Sequence, residues 1–351
     1  MKAAVFSPTW DSLGGGERYV AALAQFLEER GFETEIWWSQ DLRQKIKDRF
    51  DIDLKSTKFI NYNPLKQNIF SRINKTREYD LLFWVSDGSL PISLAKKTII
   101  HFQIPFHGLA CGSVLNKIKA RMYVCVCNSL FTKSVVDKTY SINSEVVYPP
   151  VSTENITVEK KQNQILALAR FSTNLHAKRQ DVLIEAFLKM DLKNWTLVLA
   201  GGSADHEYLQ QLQSLSSGHP IEIIPNPTLS QIHSLLSQSK IFWSATGFEV
   251  DASHPEFMEH FGITTVEAMA AGCVPLVTNC GGHLETVIDG KTGYLWSTID
   301  ELGSKTLELV QDKKKLDAFS KEAVERSLMF SKERFYRDVA TILQASFPSG
   351  K

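Results

Sequence analysis

No stretch of the 351 residues approaches the roughly 18 consecutive apolar positions that a membrane-crossing helix needs. The opening MKAAVFSP has too short an apolar run for a secretory signal and reads as a first strand running into a glycine turn. Cysteine is scarce. Cys111, Cys125, Cys127, Cys273 and Cys280 show neither Cys-x-x-Cys nor disulfide-like spacing, and Cys125 and Cys127 share one strand face, the pattern of buried packing. A reduced, cytoplasmic setting follows. Net charge is missing too: 39 basic residues balance 39 acidic ones, so the whole molecule is not a polyanion binder. The balance is uneven, however. Residues 1–150 hold 20 Lys and Arg against 15 Asp and Glu, and the remainder 19 against 24, which biases the front half towards an anionic surface. Internal repeats, low-complexity segments and the Gly-x-Gly-x-x-Gly dinucleotide fingerprint are also absent.

The length suffices for two domains of ordinary size. Lys2–Ser7 is a short apolar strand; SLGGGERYVAALAQFLEERGFETEIWW then reads as glycine turn, helix and second strand. Val20, Leu23, Ala24 and Leu27 recur at helical spacing and Gly31 ends the helix. Strands are expected at Leu81–Val85, Thr98–Phe102, Val124–Asn128 and Val146–Tyr148, and Pro149-Pro150 with the polar STENITVEKKQN forms a linker. A second α/β region follows: strand Ile165–Ala169, helix Gln180–Met190, strands Leu197–Ala200, Ile221–Ile224 and Ile241–Ser244, and a last amphipathic helix at Lys332–Ala345.

Residues 259–296 carry the chemistry. Glu259 and Glu267 bracket seven residues that open a helix; the small residues Ala268, Ala270, Ala271 and Gly272, a strand at Val274–Val277 and the pair Gly281-Gly282 follow. Loop, helix N-terminus, strand and glycine turn are how an α/β sheet offers backbone N–H groups to an anion. Carboxylates beside a phosphate repel it, but they accept hydrogen bonds from a diol. Phosphate plus polyol means a nucleotide sugar. Arg170 and Lys178 flank the turn after the strand ending LALAR, where two cations suit a diphosphate.

The Glu-x7-Glu spacing with FGI inside it, and EAMAAGCVPLVT and GG after it, resembles the donor-site signature of retaining glycosyltransferases of the two-Rossmann-domain (GT-B) type, family 4-like. That large family includes sucrose synthase and many mannosyltransferases. GGGER at the front with EHFGI at the back is most similar to the mannosyltransferases that extend lipid-linked oligosaccharides from GDP-mannose. The resemblance implies an α/β fold of two Rossmann-like domains facing across a crevice: 1–150 on the acceptor side, 151–331 binding the donor, and a helix in 332–351 crossing back to the first domain. It implies that Glu267 accepts from the ribose hydroxyls and that Glu259 lies beside the donor sugar. It also implies that the amides of Phe261, Gly262, Ile263 and Thr264 contact sugar and phosphate. Gly15 and Gly16 would lie against the diphosphate. Arg170 and Lys178 would carry its charge, with no metal or cofactor. His101, at the end of the run TIIHF, is the histidine expected near the reacting carbon, and His107 is its rival. His101 and Glu259 are thus the catalytic candidates. Arg179 stands where the family often has glycine, and either crowds the loop or adds a phosphate contact.

The implied reaction is front-face hexosyl transfer with retention, from GDP-mannose by preference, with UDP-linked donors as competitors; the base would lie near Ile224–Leu229. The acceptor would be a glycan or a lipid-linked glycan. Peripheral membrane association through the basic front domain, where residues 42–77 mix cations with Phe50, Phe59, Tyr62 and Phe70, is weighed against an ordinary solvated face. Nucleic acid is not an expected partner. Asp51-Ile-Asp53 is an Asp-x-Asp pair without a nucleotide signal nearby and is not read as a metal site. Two other classes remain open: an epimerase of the same fold using the donor without an acceptor, and a non-catalytic nucleotide-sugar-binding relative.

Overall fold

The computed structural model describes residues 1–10, 13–108, 110–151, 160–173, 177–203 and 205–346. Residues 152–159 of the expected linker lie outside these. The chain divides into two compact units, Met1–Pro150 with Lys332–Lys351, and Val151–Ser331.

The first unit is a seven-stranded sheet of β1 (Lys2–Phe6), β2 (Glu33–Trp37), β3 (Lys58–Ile60), β4 (Leu81–Val85), β5 (Lys97–Phe102), β6 (Val124–Cys127) and β7 (Glu145–Val146), in the order β3-β2-β1-β4-β5-β6-β7. Every pairing is parallel. Parallel strands carry helices on both faces and so read as continuous apolar runs; all five residues of β4, LLFWV, are buried. Side chains alternate between the two faces. Ala3, Val5, Leu81, Phe83, Val85 and Ile99 enter one core, and Ala4, Phe6, Leu82, Trp84, Ile100 and Phe102 the other.

The first of these cores is roofed by the helix Gly15–Glu29 and closed by the helix Lys332–Ser346. Phe335, Val339 and Leu343, spaced four apart, are buried there. Phe335 meets Tyr19 edge-on with ring centroids 4.9 Å apart, and the Tyr336 hydroxyl donates to Gln25 Oε1 at 3.0 Å.

The second unit is a six-stranded sheet of β8 (Gln162–Leu168), β9 (Thr196–Gly201), β10 (Ile221–Pro225), β11 (Ser239–Ser244), β12 (Val274–Thr278) and β13 (Tyr294–Trp296), ordered β10-β9-β8-β11-β12-β13. It too is parallel throughout. In both sheets the strand order reverses once, between β1 and β4 and between β8 and β11. Such a reversal opens a crevice beyond the C-terminal ends of the strands, because successive connections leave on opposite faces.

Candidate active site

The loops after β8, β11 and β12 converge beyond the switch point of the second sheet. After β8, Arg170 is exposed at the strand's end, its carbonyl accepting from the Gln180 side-chain amide at 3.0 Å. Lys178 stands two residues before the helix Gln180–Met190. Its ammonium donates to Glu259 Oε2 at 2.9 Å, with about a fifth of each side chain exposed (18% and 19%). Burial alone would raise the Glu259 pKa. The Lys178 charge and hydrogen bond, with smaller help from His283 and His260, overcome this and hold the carboxyl well below the usual range. Glu259 is therefore an anion whose charge is already partnered.

Glu259 precedes the helix Ile263–Ala270, whose N-cap is Gly262 with φ +92° and no side-chain capping bond. The helix's first internal bond runs from Val266 N–H to Gly262 C=O, so the amides of Ile263, Thr264 and Thr265 lack carbonyl partners within the helix. An uncapped N-terminus of this kind attracts an anion. Phe261 is buried, its ring edge-on to Phe330 at 5.2 Å, which fixes the entry of the chain into the helix. Glu267 lies one turn into the helix, partly exposed.

The Gly281-Gly282 turn after β12 supports this loop from behind. Gly282 N–H donates to the Glu259 carbonyl at 2.6 Å. A Cβ on Gly281 would stand 2.3 Å from that carbonyl oxygen, and one on Gly282 2.5 Å from the His260 carbonyl oxygen. The two glycines thus serve close backbone approach, and what they hold in place is Glu259.

His283, which sequence reasoning did not single out, completes the support. It is fully buried; its Nδ1 lies 3.0 Å from Thr278 Oγ1, whose hydroxyl donates to the Thr246 carbonyl at 2.5 Å. With the hydroxyl proton committed, Nδ1 carries the hydrogen and Nε2 is left a lone-pair acceptor; it has no partner among the described residues. Burial pushes the His283 pKa down to about 4, the Glu259 carboxylate opposing, so the ring is neutral at pH 7. The available signal was a histidine directly after the glycine pair.

Arg179, at φ +48°, takes the left-handed conformation that glycine adopts freely. Its guanidinium turns to Asp181 at 3.2 Å and Glu249 at 3.6 Å and lies over the Phe248 ring. Asn226, in the stretch expected near a base, accepts from Ser203 N–H at 2.9 Å.

The first unit holds the remaining candidate positions. Gly15 and Gly16 form the first turn of the helix Gly15–Glu29. Glu17 pins that turn: its carboxylate accepts from Gly14 N–H at 2.7 Å and from the Thr9 hydroxyl at 3.0 Å. Gln103 covers Gly16, donating to its carbonyl at 3.1 Å. His101 stands next to last in β5 with its ring turned inward. Strand alternation puts it on the same face as Ile99, where its exposure is 0%, stacked on Tyr19 at 4.0 Å. Neither ring nitrogen meets a partner at good hydrogen-bond geometry among the described residues, and burial pushes the pKa down to about 3, the Val126 backbone opposing. His107 is exposed on the following loop. Asp53 pairs with Lys47 at 3.5 Å and Asp51 ends the helix Arg43–Phe50, so both have structural employment.

Residues 152–326 match the family model described as "Glycosyl transferases group 1". The chain is 28% identical over 224 residues to a GDP-Man:Man(3)GlcNAc(2)-PP-Dol alpha-1,2-mannosyltransferase of Dictyostelium discoideum (58% of this chain, 42% of the relative). It is 30% identical over 235 residues to the alpha-1,3/1,6-mannosyltransferase ALG2 of Candida glabrata (52% and 50%). The chain thus spans half or less of the length of these relatives. Among solved structures, a glycosyltransferase from Rickettsia africae shares the fold with a TM-score of 0.80 at 20% identity, covering 99% of each chain. A group 1 match over the whole of the switch-point site, on the two-Rossmann-domain (GT-B) architecture, makes this chain a member of the group 1 glycosyltransferase family.

Proposed function

We propose that the protein transfers a hexose, mannose from GDP-mannose by preference, to a glycan or lipid-linked acceptor with retention of anomeric configuration. The observation that carries this reading is the Lys178–Glu259 pair set beside the uncapped helix N-terminus at Gly262. In the proposed reaction the bond from the anomeric carbon to the donor phosphate breaks. The acceptor oxygen bonds on the same face, and its proton passes to the departing phosphate oxygen. No protein nucleophile is required. Arg170, Lys178 and the amides of Ile263 and Thr264 balance the charge that grows on the leaving diphosphate. Losing one such donor group typically costs about 3 kcal/mol of transition-state stabilisation. Glu259 accepts from the sugar and Glu267 from the ribose. The mannosyl preference is supported by the names of the curated relatives and by the GGGER and EHFGI motifs. A lipid-linked acceptor lies at a membrane surface, so the enzyme would meet it by peripheral attachment through its first unit.

The test is calorimetric binding of GDP, UDP, ADP and dTDP to wild type and to Glu267→Ala. GDP is expected to bind and the substitution to weaken it. Preference for UDP would overturn the mannosyl reading, and no binding by a folded sample would overturn the transferase reading.

A further inference from the structure

The first unit carries a helix packed the wrong way round for a soluble domain. In the helix Val114–Met122 the buried residues are Asn116 and Ala120. Val114, Leu115, Ile118 and Met122 are 74%, 58%, 52% and 72% exposed. At 3.6 residues per turn these four fall within an arc of about 100°, one continuous apolar stripe on the solvent side. Lys117 and Arg121 flank one edge of the stripe and Lys119 the other. Nearby, the segment Leu65–Phe70 adds Ile69 and Phe70, the latter 77% exposed. Its helix Ile69–Thr76 lies close, for Arg72 is near enough to disfavour the charge on Lys119.

The two chain segments that build this face carry charge of one sign. From residue 54 to 77, and again from 88 to 136, the chain contains no Asp or Glu, while these segments hold twelve Lys and Arg. Four of those cations, Lys58, Lys75, Lys96 and Lys133, are paired with carboxylates from outside the segments. Lys66, Arg72, Lys117 and Arg121 have no carboxylate partner among the described residues. By contrast Phe50, Phe59 and Tyr62 of the basic 42–77 region are packed against the two cores, leaving Phe70 as its one outward aromatic.

Large apolar side chains held in water need a reason, and an apolar stripe flanked by cations without carboxylate partners matches a bilayer bearing negative headgroups. A protein partner or a second copy would not require the absence of acidic residues, and a nucleic acid would not require the apolar stripe. We propose that this face docks on an anionic phospholipid surface. The helix Val114–Met122 lies in the interface plane with its stripe among the upper acyl chains, and Phe70 inserts beside it. Lys66, Arg72, Lys117 and Arg121 meet the headgroup phosphates. The proposal rests on the membrane-surface acceptor for its purpose, but its test needs neither donor nor acceptor.

The full chain is floated with vesicles of phosphatidylcholine alone and of equimolar phosphatidylcholine and phosphatidylglycerol. Wild type is expected on the anionic vesicles only, released by high salt. Lys117→Glu with Arg121→Glu should weaken binding by at least about fivefold for each charge removed, and Ile118→Ser with Met122→Ser should abolish it. Ile118, Arg121 and Met122 are exposed and Lys117 is half-buried, and GDP binding measured in parallel should match wild type in both variants. Unchanged flotation of either variant would overturn the proposal, as would failure of wild type to bind anionic vesicles. So would a concentration-dependent dimer, or oligonucleotide binding without vesicle binding, that either variant abolishes. Vesicle binding with no nucleotide binding would overturn the donor reading alone.

Discussion

At the scale of single residues, the site depends on charges partnered before any substrate arrives. Lys178→Met would leave the Glu259 carboxylate largely buried and unpaired. Stability in urea melts at pH 7 is expected to fall by about 2 kcal/mol, with Lys178→Met/Glu259→Gln recovering at least half. Full additivity of the two substitutions would show that the pair is not coupled. His101 poses the opposite question. Its ring is a stacked core side chain whose two nitrogens lack a well-placed partner among the described residues, so His101→Phe should keep the stack, remove these buried polar atoms and raise stability by about 1 kcal/mol. Transfer activity that survives the change would confine His101 to packing. Loss of transfer in a stable variant would restore the substrate contact that the motif implies.

Among elements, the glycine turn after β12 decides where Glu259 stands. The ordinary β-carbon of alanine at 282 would enter the space of the His260 carbonyl and the Phe261 Cα, each 2.5 Å away, and backbone cannot swing aside as a side chain can. Gly282→Ala is expected to destabilise the second unit by at least about 2 kcal/mol, seen as an early thermal transition. Gly290→Ala provides the complementary case: φ is +69° there, against −67° at Gly282, yet a Cβ meets nothing within 4 Å, so only backbone strain of about 1 kcal/mol applies. Equal losses at the two sites would mean that close approach is not what Gly282 provides.

For the whole molecule, each unit contains one fully buried, neutral histidine among the described residues, His101 in the first and His283 in the second. Their folded pKa values of about 3 and about 4 lie below the unfolded value near 6.5. The unfolded chain therefore binds more protons between these limits. The stabilisation is complete above pH 6.5 and is lost as pH falls towards 4. Between pH 6.5 and 5.5 each unit should lose about 1 kcal/mol, measured by denaturant melts across that range, and His283→Asn should flatten the loss in the second unit. The depressed Glu259 carboxyl acts in the same direction but at lower pH, because its unfolded value is already near 4.3. A pH-independent midpoint over the upper window would show that neither ring is buried in solution.

The sequence by itself determined the strands that become sheet centres, because parallel strands are apolar on both faces: Leu81–Val85 and Val274–Val277 stand out without any tertiary knowledge. It placed the helix at about Gln180–Met190 between two apolar strands, and the elements of the donor block through their order. It did not reveal the short basic helices Arg43–Phe50 and Ile69–Thr76 or the three-residue strands β3 and β13, which lack one full apolar period. Only tertiary structure decided which way His101 faces, since the parity of a strand has meaning once its neighbours set inside and outside. The roles of Gly281-Gly282 and His283 were decided there too, because a contact between residues more than twenty positions apart exists only after the loops after β11 and β12 meet. The outward stripe of Val114–Met122 belongs to the same class. An amphipathic pattern tells that a helix has an apolar face, and the packing of Asn116 and Ala120 beneath it tells that this face was left to something else.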